Sequence, residues 1–505
     1  MFALGESCRS DQLRSAIFRQ SVNAHWLMAV GRFRPRLRRA RERGGRLRLT
    51  LATSAILAGC SLGPAYKRPD AAQPSAWRES SDSQAAYWPS VDWWRGFGSP
   101  ELDGYMAQAR GANNDIAAAV ARVRQADALA TVAGAALLPA VGASATAFTE
   151  RTQAAGVAYS NFHQISPQVT ASYMIDFWGK NRAAQTAAIA TATASRRDQA
   201  TVELTVMTSV ALAYFQSLEL RERVAVAEGN LASAEATLKG LRLQLAAGIA
   251  TALDVAQQET TVSTLSAAIP PLRQQLRQSI DALAILIGQP PESVDTAAAT
   301  LADLSVPAVR PGLPSELLAR RPDVAEAEAQ LVAANANIVV ARASFFPNIE
   351  LTASGGYASS SLAKLFNSSS GVYAVGASLT QPIFEGGALT AQLEFARARQ
   401  EELVADYRKT VLTALANVED ALVAVQQSTE QLNRQATAVA KARRAHQIAQ
   451  AQLHSGVVSI LTVLNTETAL YSAQDALVQA RFAQMQALVS LFGALGGGWQ
   501  QESDK

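Results

Sequence analysis

The sequence predicts an α+β chain in which short strand pairs are carried by very long helices, the whole arrangement being used twice. Three observations lead there. Four stretches of about ten residues alternate apolar and polar side chains, the two-residue period of a strand with one dry and one wet face. Alanine-rich stretches without proline follow each strand pair, and in them apolar positions recur at steps of three and four, the period of helices packed along a seam. The chain also resembles itself at a spacing of 205 to 208 residues.

Composition narrows the classes. Of 505 residues 49% are hydrophobic and 17% charged, which suits neither a disordered nor a collagen-like chain. Residues 1–59 hold 12 of the 45 basic and 3 of the 42 acidic residues, leaving 33 basic against 39 acidic beyond them. The excess of positive charge therefore belongs to the leader, and no nucleic-acid partner is expected. Cys8 and Cys60 are too few for a disulfide framework or a cysteine zinc site. His25, His163, His446 and His454 never pair at i+3 or i+4, so no metal and no cofactor is expected.

Taken in order, residues 1–59 read as a signal peptide: an arginine-dense run from Arg32 to Arg48, an apolar core from Leu49 to Leu57, then small residues. Counted from Met28, that leader has the usual length. Leu57-Ala58-Gly59-Cys60 resembles the bacterial lipobox, which implies diacylglycerol and N-acyl chains on Cys60 as the new N-terminus. Ser61 follows, where an aspartate would imply inner-membrane retention, so the resemblance points to the outer membrane. Residues 60–110 form an N-terminal lipid-anchored segment in which Trp88, Trp93 and Trp94 are expected as packed anchors. Past Cys60 no run of about 18 apolar residues occurs, so crossing a bilayer falls to strands.

The first repeat spans 111–288, with strands near 137–152 and 165–178 and a long helix over 180–247. In the second strand Val169, Ala171, Tyr173 and Ile175 interleave with Gln168, Thr170 and Ser172. The helix seam runs through Val210, Ala213, Ser217, Leu220, Val224, Ala227, Leu231, Ala234, Leu238, Leu241 and Leu245, and at 1.5 Å per residue the rod reaches roughly 100 Å. Residues 289–315, with five prolines, are the connector. The second repeat spans 316–495, with strands near 347–358 and 372–384 and a long helix over 388–454; 496–505 is the C-terminal tail. Pro139 aligns with Pro347, Phe177-Trp178-Gly179 with Phe384-Glu385-Gly386, Gly248 with Gly456, and Leu286-Ile287-Gly288 with Leu491-Phe492-Gly493.

With that order, the chain resembles the outer membrane efflux proteins of TolC and OprM type, in their lipoprotein branch, over nearly all of its length past Cys60. The stretch from Leu317-Leu-Ala-Arg-Arg-Pro-Asp-Val324 through Ala333-Ala-Asn-Ala-Asn337 to Ala343-Ser-Phe-Phe-Pro-Asn-Ile349 carries the likeness, with Trp93-Trp94-Arg-Gly-Phe97 and Gln381-Pro-Ile-Phe-Glu-Gly-Gly387. The resemblance implies a homotrimer: four strands per chain in a twelve-stranded outer membrane β-barrel, continued by a periplasmic α-helical barrel. Physics alone reaches a homo-oligomer, because four strands cannot close a barrel and an open edge in lipid leaves backbone groups unpaired. The implied function is the exit channel of a tripartite efflux pump, with a periplasmic adaptor, an inner-membrane transporter and outer membrane lipid as partners.

Candidate sites follow from the two glycine turns. Gly248 with Ile249, and Gly456 with Val457, are expected at the periplasmic tips, where the resemblance places adaptor docking; glycine there also serves the backbone, since it accepts φ > 0. Leu461 and Asn465 match positions that line the closed aperture in relatives. Relatives often carry aspartate where this chain has Asn465 and, in some, Thr462; Asp254 holds the equivalent place in the first repeat, and the resemblance implies Thr462 and Asp254 at the aperture with Leu461 and Asn465. Arg320, Arg321, Pro322, Asp323 and Glu326 read as a helix start rather than a transport site. His446 falls on the second seam and His454 before a turn, both read as packing or solvent-facing residues, and Tyr159, Phe162 and Phe366 are candidates for the outer mouth. A protein-secretion channel is the alternative within the family, and a coiled-coil envelope lipoprotein the alternative outside it. No catalytic arrangement stands out, so an enzyme is not expected.

Overall fold

The computed structural model describes residues 63, 65–71, 74–78, 88–153, 159–296, 299–309, 312 and 314–501. The expected leader 1–59 and Cys60, the expected lipidation site, lie outside the described residues, as do 502–505 of the tail. The description concerns the unit formed by residues 59–505.

Each strand continues into, or is led by, a helix. Helix α1 (Pro100–Ala112) starts at Ser99, whose hydroxyl accepts from the Leu102 N–H at 3.2 Å, and α2 (Asn114–Ala135) starts at Asn113, which accepts from the Asp115 and Ile116 N–H groups. Then come strands β1 (Ala140–Thr152) and β2 (Ser160–Ile175), the 67-residue helix α3 (Lys180–Ala246) and α4 (Ala252–Leu286). The second half repeats the order with α5 (Pro322–Ala343), β3 (Asn348–Tyr357), β4 (Gly371–Thr380), the 67-residue α6 (Ala388–His454) and α7 (Ile460–Ala494). All three long helices recur at one offset of 208 residues with unchanged length. Two sequence alignments are thereby corrected. Gly179 pairs with Gly387, not Gly386, as both precede a long helix with φ > 0, and Gly288 pairs with Gly496, not Gly493, both following the last helix of their repeat.

The four strands form one antiparallel sheet in the order β1-β2-β3-β4. Register aligns their alternation. Val141, Ala171, Ala353 and Val375 lie in one row, Tyr173, Leu351 and Ala377 in another, and Ile175, Ile349 and Leu379 in a third. One face of the sheet is therefore apolar from the helix end up to Ala147 and Ile165, beyond which Thr149, His163, Arg151 and Asn161 follow on it in the outer part of the first hairpin, while Ser144, Thr146, Gln168, Thr170, Ser172, Thr352, Ser354 and Ser378 occupy the other. Strand β2 begins five residues ahead of the expected start at 165, so the first hairpin outreaches the second; Thr152 still pairs with Ser160 there.

The helices follow the sheet. On its side of the molecule they lie side by side as α2-α3-α5-α6, the order of the strands they join, and farther away as α4-α3-α7-α6. Alanine permits this close packing: Ala187, Ala190 and Ala194 of α3 and Ala325, Ala329, Ala333 and Ala336 of α5 are buried. The α3 seam is buried or half-buried from Val210 to Leu241. Leu245, expected to continue it, is exposed, because it lies in the last turn of α3 before the glycine turn.

Midway along the rods the N-terminal segment and the connector pack on α3 and α7. Trp93 stacks on Phe492 at 4.9 Å and Phe97 meets Phe215 at the same distance. The Tyr105 hydroxyl donates to the Asp295 carbonyl, and those of Tyr105 and Tyr214 share the Glu101 carboxylate. Two repeats are also tied across α3 and α7, where Arg223 grips Asp475 with two nitrogens and Arg481 donates to Glu222.

Candidate functional site: strand face and glycine tips

Both glycine turns have the same geometry. Gly248 adopts φ 74° and Gly456 φ 72°. The N–H of Gly248 donates to the Leu245 carbonyl and that of Ile249 to Gln244; Gly456 and Val457 donate equivalently to Leu453 and Gln452. These paired bonds satisfy helix-end carbonyls and require the left-handed residue. Around the first turn Leu243, Ile249 and Leu253 are exposed, and around the second Val457 and Leu461, so each tip presents apolar side chains to its surroundings.

The next helix starts differently in the two repeats. Thr251 and Asp254 form a capping box: the Thr251 N–H and hydroxyl donate to the Asp254 carboxylate, and the Asp254 N–H donates back to the Thr251 hydroxyl at 3.2 Å. Asp254 is thus occupied with its own helix end. The spacing Thr-x-x-Asp carries that information in the sequence, although the resemblance alone drew it toward the aperture. At the second turn Ser459 makes no side-chain cap, and Thr462 is exposed with its N–H on the Ser459 carbonyl. Leu461, 47% exposed, and Asn465, also exposed, lie one turn apart on α7, with Val463, Leu464 and Glu467 buried on its other side.

Other candidates settle into packing. Arg321 is buried, bonds Asp323 with two nitrogens and donates to the Ala494 carbonyl at the end of α7, while the Arg320 guanidinium sits 4.6 Å over Trp88. His163 bonds Thr149 at 2.9 Å, and His446 faces Thr466 from the seam. The side chain of His454 is outside the described set. Burial, then the charges of Asp198 and Asp323, push the Glu326 carboxyl up to about 7. That shift has no local sequence signal, since Asp198 arrives from α3. Near the sheet's turns Tyr159 carries the Arg151 guanidinium 4.2 Å away and Phe366 packs edge-on against Tyr357.

The junctions between sheet and helices carry a further apolar belt. Leu138, Phe177, Phe345 and the pair Ile383–Phe384 are exposed, one set at each of the four crossings from helix to strand or back. No described helix is long and apolar enough to cross a membrane. The sheet therefore offers the surface suited to lipid.

Comparison with known proteins agrees with that architecture. The chain is 41% identical to the pyoverdine export outer membrane protein OpmQ of Pseudomonas aeruginosa, over 90% of this chain and 97% of that protein. It is 30% identical to the cation efflux system protein CusC of Escherichia coli, over 90% and 99%. Among solved structures, the open-state MtrE outer membrane channel of Neisseria gonorrhoeae matches with a TM-score of 0.80 at 28% identity, covering 87% of this chain and 99% of that one. The outer-membrane channel OprN matches with a TM-score of 0.80 at 27% identity, over 88% of this chain and all of the other. The outer membrane efflux protein model fits residues 106–289 and 313–497, one match to each repeat. The chain belongs to the outer membrane efflux protein family.

Proposed function

We propose that this chain is the outer membrane exit channel of a tripartite efflux pump, built as a homotrimer whose sheets close into one barrel and whose helices continue it into the periplasm. The observation that carries this reading is the sheet: an apolar face running across four strands up to the level of Ala147 and Ile165, a polar face behind it, and two outer edges, β1 and β4, with no partner among the described residues. In lipid such edges must pair, and copies of the same chain supply complementary ones. A polar face turned inward lines a water-filled passage, which conducts solutes without chemistry. No catalytic residue is assigned.

Purified protein in planar bilayers should give discrete conductance steps, and its mass in detergent should be that of three chains; absence of conductance from the assembled protein would refute the channel. Arginine at Ala353, on the apolar face, should abolish insertion, while arginine at its neighbour Thr352 should be tolerated.

The same reading assigns the tips. Gly248, Ile249, Gly456 and Val457 dock a periplasmic adaptor, which links the channel to an inner-membrane transporter. Leu461 and Asn465 form stacked rings at the aperture, one apolar and one of neutral amides, with Thr462 beside them. An apolar ring closes a pore by excluding water, whereas amides neither repel each other nor attract cations strongly. Leu461→Ala should raise the open fraction, and Asn465→Asp should raise cation selectivity; a channel indifferent to both has its aperture elsewhere. Cys60 carries the lipid anchor, and mass spectrometry of the exported protein should find it acylated and N-terminal.

A further inference from the structure

The polar face of the sheet carries a pair of aromatic rings at its outer end. Phe148 and Phe162 share the parity of Ser144, Thr146, Gln164 and Ser166, so both rings stand on the polar side, opposite Val169 and Ala171. Their centroids are 5.7 Å apart with the planes inclined by 44°, and the residues remain 45% and 50% exposed. Neither ring enters the buried core, and Phe162 pairs across the strands with Glu150 on the same face. The pair sits beyond the bridge between Ile165 and Ser359, where β2 has left β3, in the part of the first hairpin that outreaches the second. The aromatic rings suited to lipid, Tyr173, Tyr357 and Tyr373, are on the opposite face.

Two half-bare aromatic rings side by side, on a face whose other apolar side chains, such as Met174 and Val372, are aliphatic, lose free energy to water unless something covers them. We propose that Phe148 and Phe162 form a stacking site for planar aromatic solutes at the outer end of the passage, one site per copy. This rests on the reading of the polar face as the inside of a channel. Inclined rings at this spacing leave π-faces open, and a planar ring can stack on either one. An aliphatic solute of equal size and charge gains only the contact area. The neighbouring carboxylate of Glu150 adds a preference for solutes without a negative charge beside the ring.

The test uses the full-length channel in phosphatidylcholine nanodiscs with 2-naphthylmethylammonium as probe and (decahydronaphthalen-2-yl)methylammonium as the equally charged, saturated control of the same size, binding being read by ligand-detected NMR. The naphthyl probe should bind measurably tighter than the control. Phe148→Ser with Phe162→Ser should weaken it about tenfold while leaving conductance intact, since one aromatic contact is worth about that factor. Phe148→Tyr with Phe162→Tyr should retain binding, and Phe366→Ser, in the β3–β4 connection against Tyr357, should not change it. Unchanged binding in a conducting double serine variant would overturn the proposal. So would a large rise in conductance without loss of binding, which would mean that the rings of different copies touch one another across the opening. A protein that conducts nothing would instead overturn the channel reading.

Discussion

The two repeats match helix for helix in length, yet their tips are fastened differently. Gly248 and Gly456 end the long helices with the same pair of bonds, so the first half of each turn is equivalent. Beyond it, Thr251 and Asp254 lock the start of α4, while Ser459 and Thr462 leave the start of α7 without a side-chain cap. Helix α4 in turn carries Pro270 and Pro271 in its interior, which α7 lacks. One hairpin is therefore held at its tip and loosened along its length, and the other is the reverse. A hairpin continuous along its shaft and free at its end can move its tip as a lever, which suits the end that bears Leu461 and Asn465.

The largest test of this asymmetry lies at the sheet end. A side chain at Gly356, in the second hairpin, would meet the Pro167 carbonyl oxygen at 2.2 Å, whereas at Gly142, in the first, the nearest atom is 3.7 Å away. Gly356→Val should lower the stability of the sheet by about 1–3 kcal/mol, read as a lower temperature of oligomer dissociation, while Gly142→Ala should be nearly neutral. Equal effects would mean that the two hairpins are equally close-packed.

At the tips the expected effects are smaller. Asp254→Ala should cost about 1 kcal/mol at the start of α4 and speed amide hydrogen exchange there, and Thr462→Asp should slow exchange at the start of α7 by completing a box with Ser459. If Thr462→Asp also lowers the open fraction of the channel, freedom of that tip is part of gating; unchanged exchange in both variants would remove the distinction drawn between the turns.

The smallest effect is pH-dependent. Glu326 on α5 occupies the place that Ala118 holds on α2. With its carboxyl raised from 4.5 to about 7, Glu326 favours the protonated form in the folded chain. The folded state then costs nothing below pH 4.5, loses stability as the pH climbs from there, and carries the full penalty above about 7. Glu326→Gln should therefore stabilise the protein by on the order of 1 kcal/mol at pH 8 and not at pH 4, and Ala118→Glu, on an exposed site, should show no such window.

Much of this was legible in the residues. Strand alternation located the sheet because period two survives wherever one face is dry, as Val169 to Ile175 show. The seam from Val210 to Leu241 declared itself for the same reason at the helical period. The repeat is plain in the sequence except where glycines recur in clusters, as at Gly386 and Gly387 or Gly493 and Gly496, since neighbouring glycines leave the register open by one to three residues. Contacts between distant segments left no trace: nothing near Glu326 announces Asp198, and nothing near Arg223 announces Asp475. The side of the sheet on which Phe148 and Phe162 stand follows from strand parity, but only once the register of β1 on β2 is known.

The open edges of β1 and β4 also bear on inheritance. Each chain offers one edge of each kind, a head-to-tail contact that closes only when every member of the ring supplies both. A copy whose β4 edge is spoiled, by proline at Val375 for instance, still presents an intact β1 edge to a sound neighbour and joins its ring. Expressed at equal levels beside the unaltered gene, such an allele enters most rings and disables them. A defect confined to one edge therefore behaves as dominant, whereas loss of the whole chain merely lowers the number of rings.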